Sequence, residues 1–511
     1  KADPAILNVS FYYKNETNEQ FATTNYVWVN VKEESQMALL ANKANTLHYS
    51  IVGQNEFMPE WVMLAANKDA VVYPLYAAQI LHQLDLFAAV EPDFRGVAKK
   101  DCVNDPLFTN QWGLNNTGQY SGTAGMDTRV CDAWQWTTGS NAVDIAIIDE
   151  GFENAHPDLD DNLANTGYSA VTGSTPTVVY GSHGTSCAGI AAAEGNNSLG
   201  ISGVARTADI MSVAVDFDNF NWAEMSDAFN WARTNGAEIL SNSWGYSVPS
   251  ALFDAAVNNA LTLGRGGLGC VVLFSAGNDN LSALIYPKNS NVDLIIVGSI
   301  SPCGQRKSPT SCDGESWWGS NRGQGLNVMA PGVIISTTDR QGLSGYNTSA
   351  GVAGNYTSSF NGTSSACPHA AGVAALILSA NACLTQDEVE QIMCETSRKV
   401  GGYSYTTSAS NPFGTWNTEM GYGLLDAEAA VIKAQSKYLQ NLTNAGNATH
   451  RSPLVFAGFN VNPHATNGNY TSTTTANVSI EASKAIEFKT GCDLRGNVNA
   501  QILSVGSCTT W

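Results

Sequence analysis

The chain has 511 residues, 43% hydrophobic and 14% charged, which excludes a disordered polymer and gives room for roughly two to four domains, one large enough to enclose a site. Its 45 acidic and 25 basic residues leave a net charge of −20, a surface that repels polyanions and makes nucleic acid an unexpected partner. No apolar run reaches the length of a bilayer span.

Residues 1–98 carry an alternating strand-like run at 26–31, a helical pattern at 33–44 and another at 77–88, a small α+β segment. The start at Lys1, without Met or an apolar leader, is the pattern of a chain whose export signal has been removed, so a secreted or cell-surface protein is expected. The segment closes with Val90-Glu91-Pro92-Asp93-Phe94, and a basic stretch, 95–100, then leads like a linker to Asn104-Asp105-Pro106. From 101 to 435, buried-strand runs at 143–148, 210–215, 239–240, 271–274 and 294–297 alternate with helical patterns from His183 and at 225–234 and 251–263. That alternation predicts an α/β domain with a mainly parallel sheet covered on both faces. A last helix is expected at 433–440. Residues 445–511 are then Thr- and Asn-rich and β-like, a small all-β domain with no repeat of fixed period to suggest a solenoid or propeller. The eleven cysteines fit an oxidising compartment: Cys303 and Cys312, Cys383 and Cys394, and Cys492 and Cys508 are close enough to close short disulfide loops.

Three motifs carry chemistry. The strand 143–148 runs into Asp149-Glu150-Gly151, and the C-terminal ends of parallel strands are where open α/β sheets place their sites. In Gly181-Ser182-His183-Gly184-Thr185-Ser186-Cys187-Ala188-Gly189 a histidine opens a helix of very small residues, and imidazole is the natural proton shuttle near neutral pH. In Asn361-Gly362-Thr363-Ser364-Ser365-Ala366-Cys367-Pro368-His369 a glycine turn delivers a serine to the first turn of a helix, whose amides and positive end stabilise an oxyanion. Singly, these read as a cap, a structural histidine and a loop carboxylate. In the order Asp, His, Ser they resemble the subtilisin-like serine proteases over residues 101–430.

The resemblance implies a three-layer subtilisin-like domain and a secreted serine endopeptidase acting through an acyl-enzyme. Asp149 would orient the imidazole, His183 would act as general base and then acid, and Ser364 would be the nucleophile. Asn278, after Phe274-Ser275-Ala276-Gly277, would be the side-chain oxyanion donor. Ser243, Trp244 and Gly245 would pair with an extended substrate and form one wall of the pocket for the side chain before the cut, with Ala276 and Gly277 opposite. A structural Ca²⁺ is implied by the loop Gly195-Asn196-Asn197-Ser198-Leu199-Gly200-Ile201 and by Asp158, with Asp158, Asn197, Gln111 and the carbonyls of Gly195, Leu199 and Ile201 as ligands.

Residues 1–98 occupy the position of the family's inhibitory pro-domain, so a zymogen is expected, cleaved near 95–100 and partnered by protein or peptide substrates and by its own pro-domain. Two residues depart from the pattern: Glu150, expected to face solvent, and Ser365, where Met is common. Pro368 is placed in or near the first helical turn, where its missing N–H does least harm. Cys187 and Cys367 read as buried packing thiols, and His156 and His369 as loop and packing residues. A protease-like binding protein without turnover is the alternative, disfavoured because such a protein has no use for all of Asp149, His183, Asn278 and Ser364.

Overall fold

The computed structural model describes residues 12–14, 20–33, 35–96, 102–290, 293–439, 442–444, 447–451, 454–457, 470–472, 477–482, 485–488, 492–493 and 497–502. It divides into two units, Lys1–Cys102 and Val103–Trp511.

The first unit runs β1 (Tyr12–Lys14), β2 (Gln20–Asn30), α1 (Ser35–Thr46), β3 (Tyr49–Gln54), β4 (Trp61–Ala66), α2 (Pro74–Gln83) and β5 (Ala89–Gly96). Every pairing is antiparallel, with β2 between β4 and β5. The order from β2 onward is therefore the split β-α-β-β-α-β arrangement. Alternate residues Val27, Val29, Val62 and Leu64 turn to one face, where Leu40 and Ala44 of α1 and Ala77 and Leu81 of α2 close the core. Helix α2 stops at Gln83 rather than 88, because Asp85 adopts a left-handed φ of 53°. The 90–94 segment then joins the sheet as an edge strand, where Pro92 is tolerated opposite Val27. The basic stretch 95–100 continues beyond the described residues after Gly96.

In the second unit α3 (Val130–Ala133) precedes β6 (Asp144–Asp149), β7 (Tyr168–Ser169), α4 (His183–Ala192), β8 (Asp209–Ala214), α5 (Trp222–Thr234), β9 (Ile239–Asn242), α6 (Ala251–Leu263), β10 (Val271–Ser275), β11 (Ile295–Ile300) and β12 (Val328–Pro331). The hairpin β13 (Ile335–Thr338) and β14 (Tyr356–Phe360) follows, then α7 (Thr363–Ala380), α8 (Gln386–Thr396), β15 (Thr406–Ser408), β16 (Asn411–Trp416) and α9 (Ala427–Gln435). Strands form one seven-stranded sheet in the order β12-β11-β10-β9-β6-β8-β7, parallel throughout. Buried on both faces, β9 to β11 read as near-continuous apolar runs. Helix α7 is buried from Thr363 to Leu378. A Cβ on its Gly372 would fall 2.5 Å from Val204 Cβ and 2.9 Å from the Ala191 carbonyl, so only glycine lets α7 lie against the end of α4.

The C-terminal part corrects two expectations. The helix expected at 433–440 ends at Gln435, since Ser436 takes extended dihedrals (φ −111°, ψ 131°). Strands β17 (Ser436–Leu439), β18 (Leu442–Asn444), β19 (Asn447–Arg451), β20 (Leu454–Ala457), β21 (Tyr470–Ser472), β22 (Asn477–Ala482), β23 (Ala485–Phe488), β24 (Cys492–Asp493) and β25 (Asn497–Ile502) then stack. They form three parallel sheets, β17-β20-β23, β18-β21-β24 and β19-β22-β25, which is a three-coil solenoid. Ser436 pairs with Leu454 but Leu454 with Ala485, so successive coils differ in length and leave no fixed period to detect. Val455, Ala457, Tyr470, Val478 and Ile480 of the middle coil form the core.

Cysteine pairing also departs in part. Cys303–Cys312 forms, but Cys394 is a free thiol buried on α8 and Cys383 is bonded to another cysteine. Cys508 lies outside the described residues. No helix among the described residues is long and apolar enough to cross a membrane.

Candidate active site

Asp149 is the last residue of β6 and His183 the first of α4. Nδ1–H of His183 lies 2.9 and 3.0 Å from the two carboxylate oxygens of Asp149. A carboxylate only accepts, so this contact leaves Nε2 as the free acceptor. Asp149 is 1% exposed, while the imidazole side chain is 21% exposed and meets the Phe360 ring edge-on at 5.3 Å. Burial works against the imidazolium, but the Asp149 carboxylate, with Cys187 adding to it, holds His183 well above its ordinary value.

Ser364 stands in the first turn of α7. Its hydroxyl donates to the Ser243 carbonyl at 3.1 Å, and the Ser243 hydroxyl donates back to the Ser364 carbonyl at 3.0 Å. That carbonyl is open because its helical partner four residues on is Pro368, which has no N–H. Cys187 Sγ approaches it as well, at 3.6 Å. Pro368 thus sits deeper in the helix than expected, and side chains satisfy the oxygen it orphans. Among the described residues no hydrogen bond joins Ser364 Oγ to His183.

Asn278 follows β10. Its Oδ1 accepts from the backbone N–H and hydroxyl of Thr363 at 2.8 and 2.9 Å, which turns Nδ2 away from them. Gly362 has φ +114°, and a Cβ there would fall 3.2 Å from Asn278 Nδ2 and 3.5 Å from Ser364 N. Two donors therefore face one space beside the serine, and it stays open because residue 362 has no side chain.

A family model described as the subtilase family matches residues 140–423. The chain belongs to that family. It is 35% identical to a calcium-dependent protease of Nostoc sp. over 397 residues, 70% of this chain and 57% of that protein. A thermophilic serine proteinase of Bacillus sp. is 33% identical over 299 residues, covering 58% of this chain and 67% of its own. Among solved structures, a serine protease of Aeromonas sobria matches with a TM-score of 0.56 at 25% identity, over 65% of this chain and 68% of that one. This subtilase spans little more than half the length of the calcium-dependent proteases it matches.

The strand expected to pair with substrate leaves the sheet at Asn242. Trp244 turns inward, its indole donating to the Ile148 carbonyl at 3.1 Å and packing against Phe253 and Phe274, so only its backbone is left for a wall. Opposite, buried Ala276 is followed by Gly277, whose N–H donates to the Thr363 hydroxyl at 3.0 Å.

Glu150 is half-buried, with its carboxylate turned to the start of α4. Its Oε2 accepts the His183 backbone N–H at 3.3 Å, supplying a cap that Ser182 does not make. Burial, and then the charge of Asp149, raise its pKa. Ser365 is fully buried and its carbonyl holds His369 Nδ1 at 2.8 Å. Burial pushes His369 down to about 4 and the Cys367 thiol up to about 12, consistent with a packing residue and an inert thiol. His156 is buried too, with Nε2 2.9 Å from the Asn355 carbonyl.

Asp158 is buried and accepts from Asn197 Nδ2 at 2.8 Å and Ile201 N–H at 2.9 Å. The structure brings Asp105 to the same loop, where it accepts from Asn196 and Asn197 N–H at 2.9 and 3.2 Å. Burial raises both carboxyls, and the charge of Asp158 adds to the shift of Asp105. Neither forms an ion pair among the described residues, although Arg206 feels the charge of Asp105 and Tyr356 hydrogen-bonds Asp158, and the hard carboxylate and amide oxygens gathered here fit Ca²⁺. Gln111 turns its amide to Ser202, beyond the 195–201 loop, with Oε1 accepting Ser202 N–H at 2.9 Å and Nε2 donating to the Ser202 carbonyl at 2.8 Å, whereas Asn197 keeps its amide within the loop and Asp158, with Oδ1 accepting Leu199 N–H at 2.8 Å. Sequence reasoning missed Asp105, Thr363 and Phe360. Asp105 stood where a linker-like stretch ends, Thr363 stood inside the serine motif and Phe360 just before it, neither of the last two with a chemical signature of its own.

Proposed function

We propose that this subtilase is a secreted serine endopeptidase, with residues 101–435 as its catalytic segment. The reading rests above all on Asn278 Nδ2 and Ser364 N facing one space beside Ser364, with the Asp149–His183 pair across from it. Rotation of the Ser364 hydroxyl from the Ser243 carbonyl to His183 Nε2 lets the imidazole take its proton as Oγ attacks the scissile carbonyl. The carbonyl oxygen, now negative, is held by Asn278 Nδ2 and Ser364 N–H. His183 then returns the proton to the leaving amine, and water, activated in the same way, hydrolyses the acyl-enzyme. Asp149 holds the ring and stabilises its charged form throughout. Ser243, Trp244 and Gly245 on one side, and Ala276 and Gly277 on the other, are the substrate walls.

The N-terminal segment 1–98 is its inhibitory pro-domain. Its place in the chain, its β-α-β-β-α-β order and the basic stretch after β5 support this reading. Segment 445–511 belongs to a C-terminal β appendage. Ca²⁺ would be held by Asp158, Asn197 and Asp105 with carbonyls of Gly195, Leu199 and Ile201, neutralising buried carboxylates and stiffening the loop.

The test is labelling of the full chain, in calcium, with a fluorophosphonate that reacts only with activated serines, read by peptide and intact mass spectrometry. An adduct on Ser364 with loss of the N-terminal segment is expected. No adduct after that segment has been removed would overturn the protease reading in favour of a binding protein.

A further inference from the structure

On the side of Gly245 where a side chain would point lies an ammonium that no step above uses. Lys288 is 4% exposed, and a Cβ built on Gly245 would fall 2.6 Å from its Nζ and 3.5 Å from Ile285 Cδ1. The ammonium thus presses against the backbone of the wall itself, in space that only a glycine leaves. Tyr246 N–H donates to the Tyr286 carbonyl at 3.0 Å, tying the segment after Gly245 to the loop that carries Lys288.

Among the described residues Lys288 Nζ has no hydrogen-bond acceptor and no ion-pair partner. Its electrostatic neighbours are Cys367, three residues after Ser364 on α7, and Asp279, next to Asn278. Neither forms a hydrogen bond or ion pair with it among the described residues, and burial keeps the Cys367 thiol neutral. Burial outweighs both and lowers the ammonium to about 8. A buried cation with no partner is costly unless something supplies an opposite charge. The segments around it are those assigned to the side chain before the cut.

We propose that Lys288 makes this pocket selective for an acidic side chain, Asp or Glu, at the residue before the scissile bond. The substrate carboxylate supplies the missing partner through a charge-assisted hydrogen bond. A Lys or Arg side chain there meets a like charge and is rejected. An apolar side chain fills the space but leaves the ammonium uncompensated.

The inference rests on the endopeptidase reading and is tested apart from it. The full chain, matured in calcium, is given denatured casein and paired peptides differing only in Glu, Leu or Lys before the cut, with fluorophosphonate labelling of Ser364 in parallel. Cuts concentrated after Glu and Asp are expected. In Lys288→Met the Glu-over-Leu ratio of kcat/KM should fall by about a hundredfold, and in Lys288→Arg, which keeps the charge, the preference for Glu should persist. Wild-type protein that labels on Ser364 yet cuts after Leu or Lys as readily as after Glu overturns this inference alone. Protein that neither labels nor cuts overturns the protease reading with it.

Discussion

Thr363 fixes which end of the Asn278 amide faces the gap beside Ser364. It donates twice to Asn278 Oδ1, from its backbone at 2.8 Å and its hydroxyl at 2.9 Å, while the same hydroxyl accepts Gly277 N–H at 3.0 Å. The donor Nδ2 is left facing the gap beside Ser364. Asn278→Ala should lower kcat by about a hundred- to thousandfold with little change in KM, because the bond is made to the oxyanion and not to the resting carbonyl. Thr363→Val keeps the backbone donor but loses both hydroxyl bonds, the one to Asn278 Oδ1 and the one from Gly277 N–H; turnover should fall only about tenfold, roughly the one neutral hydrogen bond that orients Asn278. Steady-state kinetics on one peptide substrate separates the two; equal losses would remove Asn278 from the proposed role.

Gly362 keeps that gap empty. Gly362→Ala places a methyl 3.2 Å from Asn278 Nδ2 on a residue with φ +114°, a backbone strain of about 1–3 kcal/mol. The variant should melt several degrees lower and, where still folded, react with the fluorophosphonate at least a hundred times more slowly. Normal labelling would show that the oxyanion sits elsewhere.

The pH dependence of turnover follows from Asp149. His183 must be neutral to accept the serine proton, and the carboxylate raises its pKa despite burial. Activity should therefore rise with pH through the His183 titration and level off above it. Asp149→Asn removes the charge, so the acid limb should move to lower pH while the plateau falls by about four orders of magnitude. A limb that stays in place would mean another group controls it.

Calcium should separate three side chains. At free calcium about a hundred times Kd the ion should add about 2.7 kcal/mol of stability. Asp158→Asn and Asp105→Asn should each lose most of that gain, whereas Gln111→Ala, whose amide turns to Ser202 beyond the loop, should keep it. Thermal melts with and without chelator decide; a calcium effect abolished by Gln111→Ala would restore it to the ligand set.

Lys307, inside the loop closed by Cys303–Cys312, forms an ion pair at 2.6 Å with Asp313 just beyond it, both side chains fully buried. Two residues after Asp313, Glu315 accepts from Nδ2 of Asn361, the residue before Gly362, at 2.9 Å. Lys307→Met leaves Asp313 buried and unpaired and should cost about 3–5 kcal/mol in urea unfolding. The double variant with Asp313→Leu should recover only part of that, since it removes the unpaired charge but still orphans the Glu315 backbone and the Ser311 hydroxyl that the pair holds.

What the sequence determined by itself is whatever short-range pattern controls. Buried parallel strands announce themselves as apolar runs, so β6, β8, β9, β10 and β11 were legible to within a few residues, and the match at 251–263 with α6 is complete. The Asp149, His183 and Ser364 motifs were legible because each sits at an element end that the local pattern marks. Only the tertiary structure decided what depends on residues far apart meeting. The solenoid from Ser436 was invisible because its coils differ in length and pairing is non-local. Glu150 turned toward α4 because an uncapped amide of that helix lay within reach, and Cys394 stayed a thiol because its expected partner, Cys383, is bonded to a different cysteine. Asp105 became a partner of the 195–201 loop, and Lys288 an unpaired charge beside Gly245, because burial removes water's screening and makes each carboxylate or ammonium answer to neighbours the linear order does not show.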